Sequence, residues 1–126
     1  MCFLIASSTP PRNRTAYKIV RTDRDSTMFY GNCSYVDGAT VKASRPTGTR
    51  YVKKIDQYSE AGIYVYLNKP TPEQIRKLWK GQMVITLRVN PKDFIARGRL
   101  EIDFTDSTDI VPVATYRKAT VIGEFK

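Results

Sequence analysis

The chain has 126 residues, with 21 Lys/Arg against 12 Asp/Glu, a formal net charge of +9 and no histidine. Ser-His-Asp and Cys-His catalysis are thereby excluded, and two cysteines without a Cys-x-x-Cys spacing do not make a zinc site. The length and a hydrophobic share of 41% fit one folded domain, residues 1–126, that buries a core without disulfides or metal.

The chain opens MCFLIASSTPP. Phe3 and Ile5 alternate as in a short strand, and no basic segment precedes the apolar run, so a signal peptide is not expected. Removal of Met1 would expose the Cys2 thiol, but nothing else in the sequence points to an N-terminal-nucleophile hydrolase. Residues 7–14, SSTPPRNR, read as a loop or tether. No run approaches the ~18 apolar residues of a membrane span, and so few cysteines make a reducing, cytoplasmic compartment the default. Alternation then predicts strands over AYKIVR (16–21) and TVKA (40–43).

The stretch from Lys42 to Lys54, KASRPTGTRYVKK, carries Lys42, Arg45, Arg50, Lys53 and Lys54 and no acid. Its Pro and Gly predict a turn that offers guanidinium and backbone N–H groups to a phosphate or another anion. Residues 1–54 hold ten Lys/Arg against three Asp/Glu, and residues 55–126 hold eleven against nine, so the excess lies in the first half. A localised excess of this size points to a field that captures anions.

GIYVYL (62–67) is the next strand. Tyr64 and Tyr66 share one of its faces, and they are displayed together if Val65 and Leu67 point inward. With Tyr17-Lys18, Arg50-Tyr51 and Tyr116-Arg117, they place rings beside cations, an arrangement that grips a nucleobase with its phosphates. Thr71-Pro72-Glu73-Gln74 has the form of a capping box and predicts a helix over 71–80. Ile75, Leu78 and Trp79 would face the core, with Trp79 as an anchor and Gly81 as the stop. QMVITLRV (82–89) places Met83, Ile85, Leu87 and Val89 on one strand face, and Pro91–Ile95 reads as a single helical turn. RLEIDF (99–104), DIVPVATY (109–116) and ATVIGEF (119–125) complete the set. Glu101, Asp103, Asp106 and Asp109 read as a wet strand face and a turn, with pairing to the basic loop as an alternative to acid–base or Mg²⁺ chemistry. The expected fold is α+β: a mainly antiparallel sheet or half-barrel with one principal helix, about 71–80.

Four segments carry a resemblance. They are Tyr17-Lys18-Ile19-Val20-Arg21, Gly62-Ile63-Tyr64-Val65-Tyr66, the stretch Leu87-Arg88-Val89-Asn90-Pro91-Lys92-Asp93-Phe94-Ile95-Ala96, and Lys118-Ala119-Thr120-Val121-Ile122-Gly123-Glu124. Their order resembles a group of small, uncharacterised phage and large-virus domains, which brings no established activity. It is also distantly similar to the ADP-ribosyltransferase fold, in which Arg21, Tyr64 and Glu124 would take the catalytic places. Here Lys18 stands in the expected pocket, and neither the Ser-Thr-Ser motif nor an acidic pair of the Glu/Gln-x-Glu form is present.

Together these features fit a viral or phage accessory protein that captures a nucleotide-like anion, with sequestration of a host-defence signal as its use. Lys18, Arg21, Arg45, Arg50, Tyr51, Lys53, Lys54, Tyr64 and Tyr66 would form the binding site. No cofactor or metal is expected, and NAD enters only if the protein is transferase-like. The same charge would also serve a nucleic-acid binder or a protein-directed inhibitor with a basic face. Only weak, non-specific nucleic-acid contact, no membrane partner and a host-cell cytoplasmic setting are expected, and a homo-oligomer is allowed.

Overall fold

Apolar–polar alternation turns most of this chain into strands, as the computed structural model shows for residues 2–7, 9–23, 35–42, 51–52, 57–59 and 63–125. The strands are β1 (Cys2–Ser7), β2 (Thr15–Arg21), β3 (Thr40–Lys42), β4 (Tyr51–Val52), β5 (Gln57–Ser59), β6 (Ile63–Tyr66), β7 (Gln82–Arg88), β8 (Phe94–Asp103), β9 (Thr108–Tyr116) and β10 (Lys118–Glu124). One short helix, α1 (Pro72–Arg76), and a 3-10 turn at Pro91–Asp93 interrupt them. All ten strands join one sheet in the order β3-β10-β7-β2-β6-β9-β8-β1-β5-β4. Every pairing is antiparallel. The architecture is the expected α+β half-barrel. The edge strands β4 and β5, which complete it beyond β1, carry no clear alternation and were not expected as strands.

Chain connectivity explains the curl. Only residues 43–50 join β3 at one edge to β4 at the other. A flat sheet of this width would separate its edges by about 43 Å at ~4.8 Å per strand. The connecting residues, fully extended, reach only about 30 Å. The sheet must therefore bend.

Both faces of the central strands are covered. Val20, Val65, Ile85, Leu87 and Val121 lie in the largest apolar cluster on one face. Tyr17, Ile19, Val84 and Phe104 cluster on the other. Ile85, Leu87 and Val89 share a face with Met83 packed against them, as the alternation of β7 requires. Leu100 and Phe104 are buried while Glu101 and Asp103 are exposed, which gives β8 its wet face.

Burial on both sides corrects the reading of the tyrosines. Val65 is inside, yet Tyr64 is only 5% exposed, packed with Ala96, Leu100 and Val113. Tyr66 is also largely enclosed. They share a face but are not displayed on an open one, because apolar side chains of the neighbouring strands β9 and β8 pack against them in the curled sheet.

The helix is shorter than expected. The capping box forms in full, with Thr71 Oγ1 accepting from the Gln74 N–H at 3.1 Å and Gln74 Oε1 accepting from the Thr71 N–H at 3.0 Å. The helix nevertheless stops at Arg76. The i−4 ladder fails at the next two donors: the Leu78 N–H bonds to the Ile75 carbonyl at 3.3 Å, and the Trp79 N–H is taken by Gln82 Oε1 at 3.1 Å. A side-chain acceptor at the start of β7 thus replaces a helical carbonyl, and the Lys77 carbonyl accepts the Thr105 N–H at 3.0 Å. Gly81, expected as the helix stop, adopts its φ of +87° in the turn into β7, where its carbonyl accepts the Thr22 N–H. Trp79 falls in that turn and is 51% exposed, so it is a surface residue and not a core anchor.

Candidate anion-binding face

Three strands carry a threonine and a cation two residues apart: Thr40 and Lys42, Thr86 and Arg88, Lys118 and Thr120. In a strand, residues two apart share a face. The pairing register sets them side by side. Thr15 lies opposite Arg88, Arg88 opposite Thr120, and Thr120 opposite Thr40. Two residues along, Lys118 lies directly opposite Lys42. The Thr40 and Thr120 hydroxyls are 3.2 Å apart and hydrogen-bonded.

Arg14 enters this row from the segment before β2. That segment, expected as a loop or tether, is anchored at its end. The Arg14 carbonyl accepts the Val89 N–H at 2.9 Å, and the Asn13 amide donates to the Leu67 carbonyl at 3.1 Å. A cleft of about 440 Å³ opens here, lined by Arg14, Arg88, Lys118, Asn90 and the two threonines, with Asp93 as its one acid among the described residues. Asn90 is fixed by accepting the Lys92 N–H at the 3-10 turn.

The face is rich in cations: Lys42 lies opposite Lys118, and a third cation, Arg88, stands on the neighbouring strand β7. A dianion seated there would receive charge-assisted hydrogen bonds. The arrangement can hold phosphate or carboxylate. Among the described residues no group of three or more His, Cys, Asp or Glu could hold a metal ion.

The residues named from the sequence are scattered. Lys18 is buried at 4% exposure on the core face of β2. Its Nζ donates to the Tyr64 carbonyl at 2.9 Å and lies 5.6 Å from the centre of the Tyr35 ring. There β2 and β6 share only the Tyr17–Tyr66 bridge, and the ammonium occupies the gap where their ladder opens. Arg21 is exposed at the end of β2 and pairs with Asp23. Glu124, on β10 opposite Ile85, lines a cavity with Trp79, Lys80 and Phe125. Arg21, Tyr64 and Glu124 thus occupy three strands and three surroundings: solvent, core and the rim of that cavity. Arg45, Arg50, Lys53 and Lys54 lie outside the described residues, and Tyr51 is described by its backbone alone in β4.

The acid cluster also has an assignment. Asp109 accepts from Gln74 Nε2 at 3.0 Å, and Asp106 lies 3.5 Å from Lys77 Nζ, so the hairpin between β8 and β9 holds α1. Asp103 accepts from the Thr108 hydroxyl across the same hairpin.

Tyr66 gives a pH dependence. Burial pushes its hydroxyl up to about 12, whereas in the unfolded chain a tyrosine ionises near 10. The native state therefore keeps a proton that the unfolded state loses. Stability from this source is whole below about pH 10 and falls as pH rises toward 12. Urea midpoints should drop less steeply over this window for Tyr66→Phe than for the native chain. Identical slopes would show that Tyr66 titrates as a free tyrosine.

No protein-family model matches this chain, no curated protein matches it significantly in sequence, and no solved structure matches its fold significantly. No helix among the described residues is long and apolar enough to cross a membrane.

Proposed function

We propose that this protein binds an anionic, nucleotide-like ligand on the β3-β10-β7-β2 face, with phosphate oxygens held by Arg14, Lys42, Arg88 and Lys118. The observation that carries the reading is the convergence of Arg14, Arg88 and Lys118 on a cleft whose one acid among the described residues is Asp93, with Lys42 opposite Lys118 on the neighbouring strand. A concavity of about 440 Å³ falls within the range of small-ligand sites. It suits a compact ligand better than a duplex, which needs a long continuous stripe of cations. The Asn90 amide lines the same cleft, beside the place where a base or sugar would lie. The resemblance to phage and large-virus domains supports an accessory role, in which the protein sequesters a phosphorylated signal of host defence and does not transform it. The separation of Arg21, Tyr64 and Glu124 favours binding over NAD consumption.

Calorimetric titration with mono-, di- and cyclic nucleotides and with a generic duplex, at low and at physiological salt, tests this. A pocket that neutralises few charges keeps most of its affinity as salt rises, whereas duplex binding falls steeply because many counterions are released. The expected result is saturable nucleotide binding with a shallow salt slope, and ligand recovered intact by mass spectrometry. Steady turnover would transfer the protein to an enzyme class. Tight duplex binding that collapses with salt, without nucleotide binding, would make nucleic acid the partner.

A further inference from the structure

We propose a second, independent site: the groove between α1 and the sheet binds a small amphipathic carboxylate, its apolar body on Ile19, Val84 and Phe104 and its carboxylate on Lys69.

The helix is held over this groove by polar struts. Gln74 donates to Asp109, Lys77 reaches Asp106 and the Ser107 hydroxyl, and the Thr105 N–H donates to the Lys77 carbonyl. None of the residues of α1 is buried. An amphipathic helix normally docks by its apolar stripe, and here that stripe overlies a cavity of about 330 Å³. The volume lies at the small end of ligand pockets, and a mainly apolar lining with a few polar groups is their usual composition. Ile75 is 38% exposed and Ile110, at the mouth, 66%.

The polar groups choose the ligand. Among the described residues no Asp or Glu lines the groove, and Lys69 is the one cation that does. Lys69 forms no ion pair among the described residues. Thr71 and Gln74 are engaged in the capping box and with Asp109. That leaves the Asn68 amide and the Tyr66 hydroxyl, neither of which makes a side-chain hydrogen bond among the described residues; the hydroxyl stays protonated at neutral pH. Three donors, no negative charge among the described residues and an apolar floor select an apolar body with an anionic acceptor head. The groove is distinct from the basic cleft, because Val84 and Arg88 lie four residues apart on β7, about 13 Å along the strand.

The test uses decanoate and 2-naphthoate as probes, with decan-1-ol and 2-naphthamide as uncharged counterparts. Binding is followed by calorimetry and by the fluorescence of the single tryptophan, Trp79, in the turn that follows α1. The carboxylates should saturate and bind at least tenfold tighter than their counterparts. Lys69→Met should remove that preference and leave alcohol affinity unchanged, and Tyr66→Phe should weaken the carboxylates severalfold. Three results would overturn the proposal: no saturation, equal affinity for acid and alcohol, or carboxylate binding indifferent to Lys69→Met. A concentration-dependent dimer abolished by Ile110→Lys would assign the groove to a second copy of the chain and overturn it equally.

Discussion

Lys18→Ala is expected to destabilise the protein by about 3–5 kcal/mol, close to the limit a small domain tolerates. Two losses combine. The Tyr64 carbonyl loses its donor, and a buried acceptor without a partner costs about 1–3 kcal/mol. Truncation of a long buried side chain also leaves a cavity, a change that costs about 2–5 kcal/mol for apolar chains of similar length. The two overlap, so their simple sum overstates the effect. Lys18→Met keeps the volume and loses only the donor. It also removes the cost of burying an ammonium, so it should fall between the native chain and Lys18→Ala. Urea unfolding with an unchanged slope would establish the order. A loss below about 1 kcal/mol for Lys18→Ala would show that Lys18 does not close the opening between β2 and β6.

Charge reversal on the basic face should have the opposite signature. The double variant Arg88→Glu/Lys118→Glu should lower nucleotide affinity at least about 100-fold, because each charge-assisted bond is worth about 1.5–3 kcal/mol. Both residues are exposed, and surface charges contribute little to folding. The variant's melting temperature should therefore be unchanged. Calorimetry together with thermal melting separates loss of function from loss of fold. A folded variant that retains its affinity would sink the assignment of this face.

Part of this site was legible and part was not. The charge excess and its weight in the first half pointed to an anion, and Lys42 lies opposite Lys118 beside the cleft. The pattern of a threonine two residues from a cation recurs at Thr40–Lys42, Thr86–Arg88 and Lys118–Thr120, and it is visible in the chain. Nothing local says that these three strands are neighbours. Contiguous charge in the 42–54 loop was the louder signal, and it drew attention from cations that lie far apart in sequence but adjacent in the sheet. Lys18 and Tyr64 were misread for a related reason. Alternation reports that one side of a strand is wetter than the other, and it fails where both sides are covered, as in β6.

By itself the sequence determined what depends on a few neighbouring residues. Alternation placed β2, β7, β9 and β10, the Thr71–Gln74 box placed the start of α1, and the absence of histidine closed whole classes of catalysis. The tertiary structure alone decided the strand order, the length of α1, the exposure of Trp79 and the burial of Lys18. The helix ends where the Trp79 N–H turns to the Gln82 side chain at the start of β7, and the Lys77 carbonyl is then held by the Thr105 N–H of a distant hairpin. The cation row exists because β10 lies between β3 and β7. Backbone preferences and side-chain periodicity act over a turn or a strand, whereas hydrogen-bond partners and neighbouring charges are set by pairing between segments far apart in the chain.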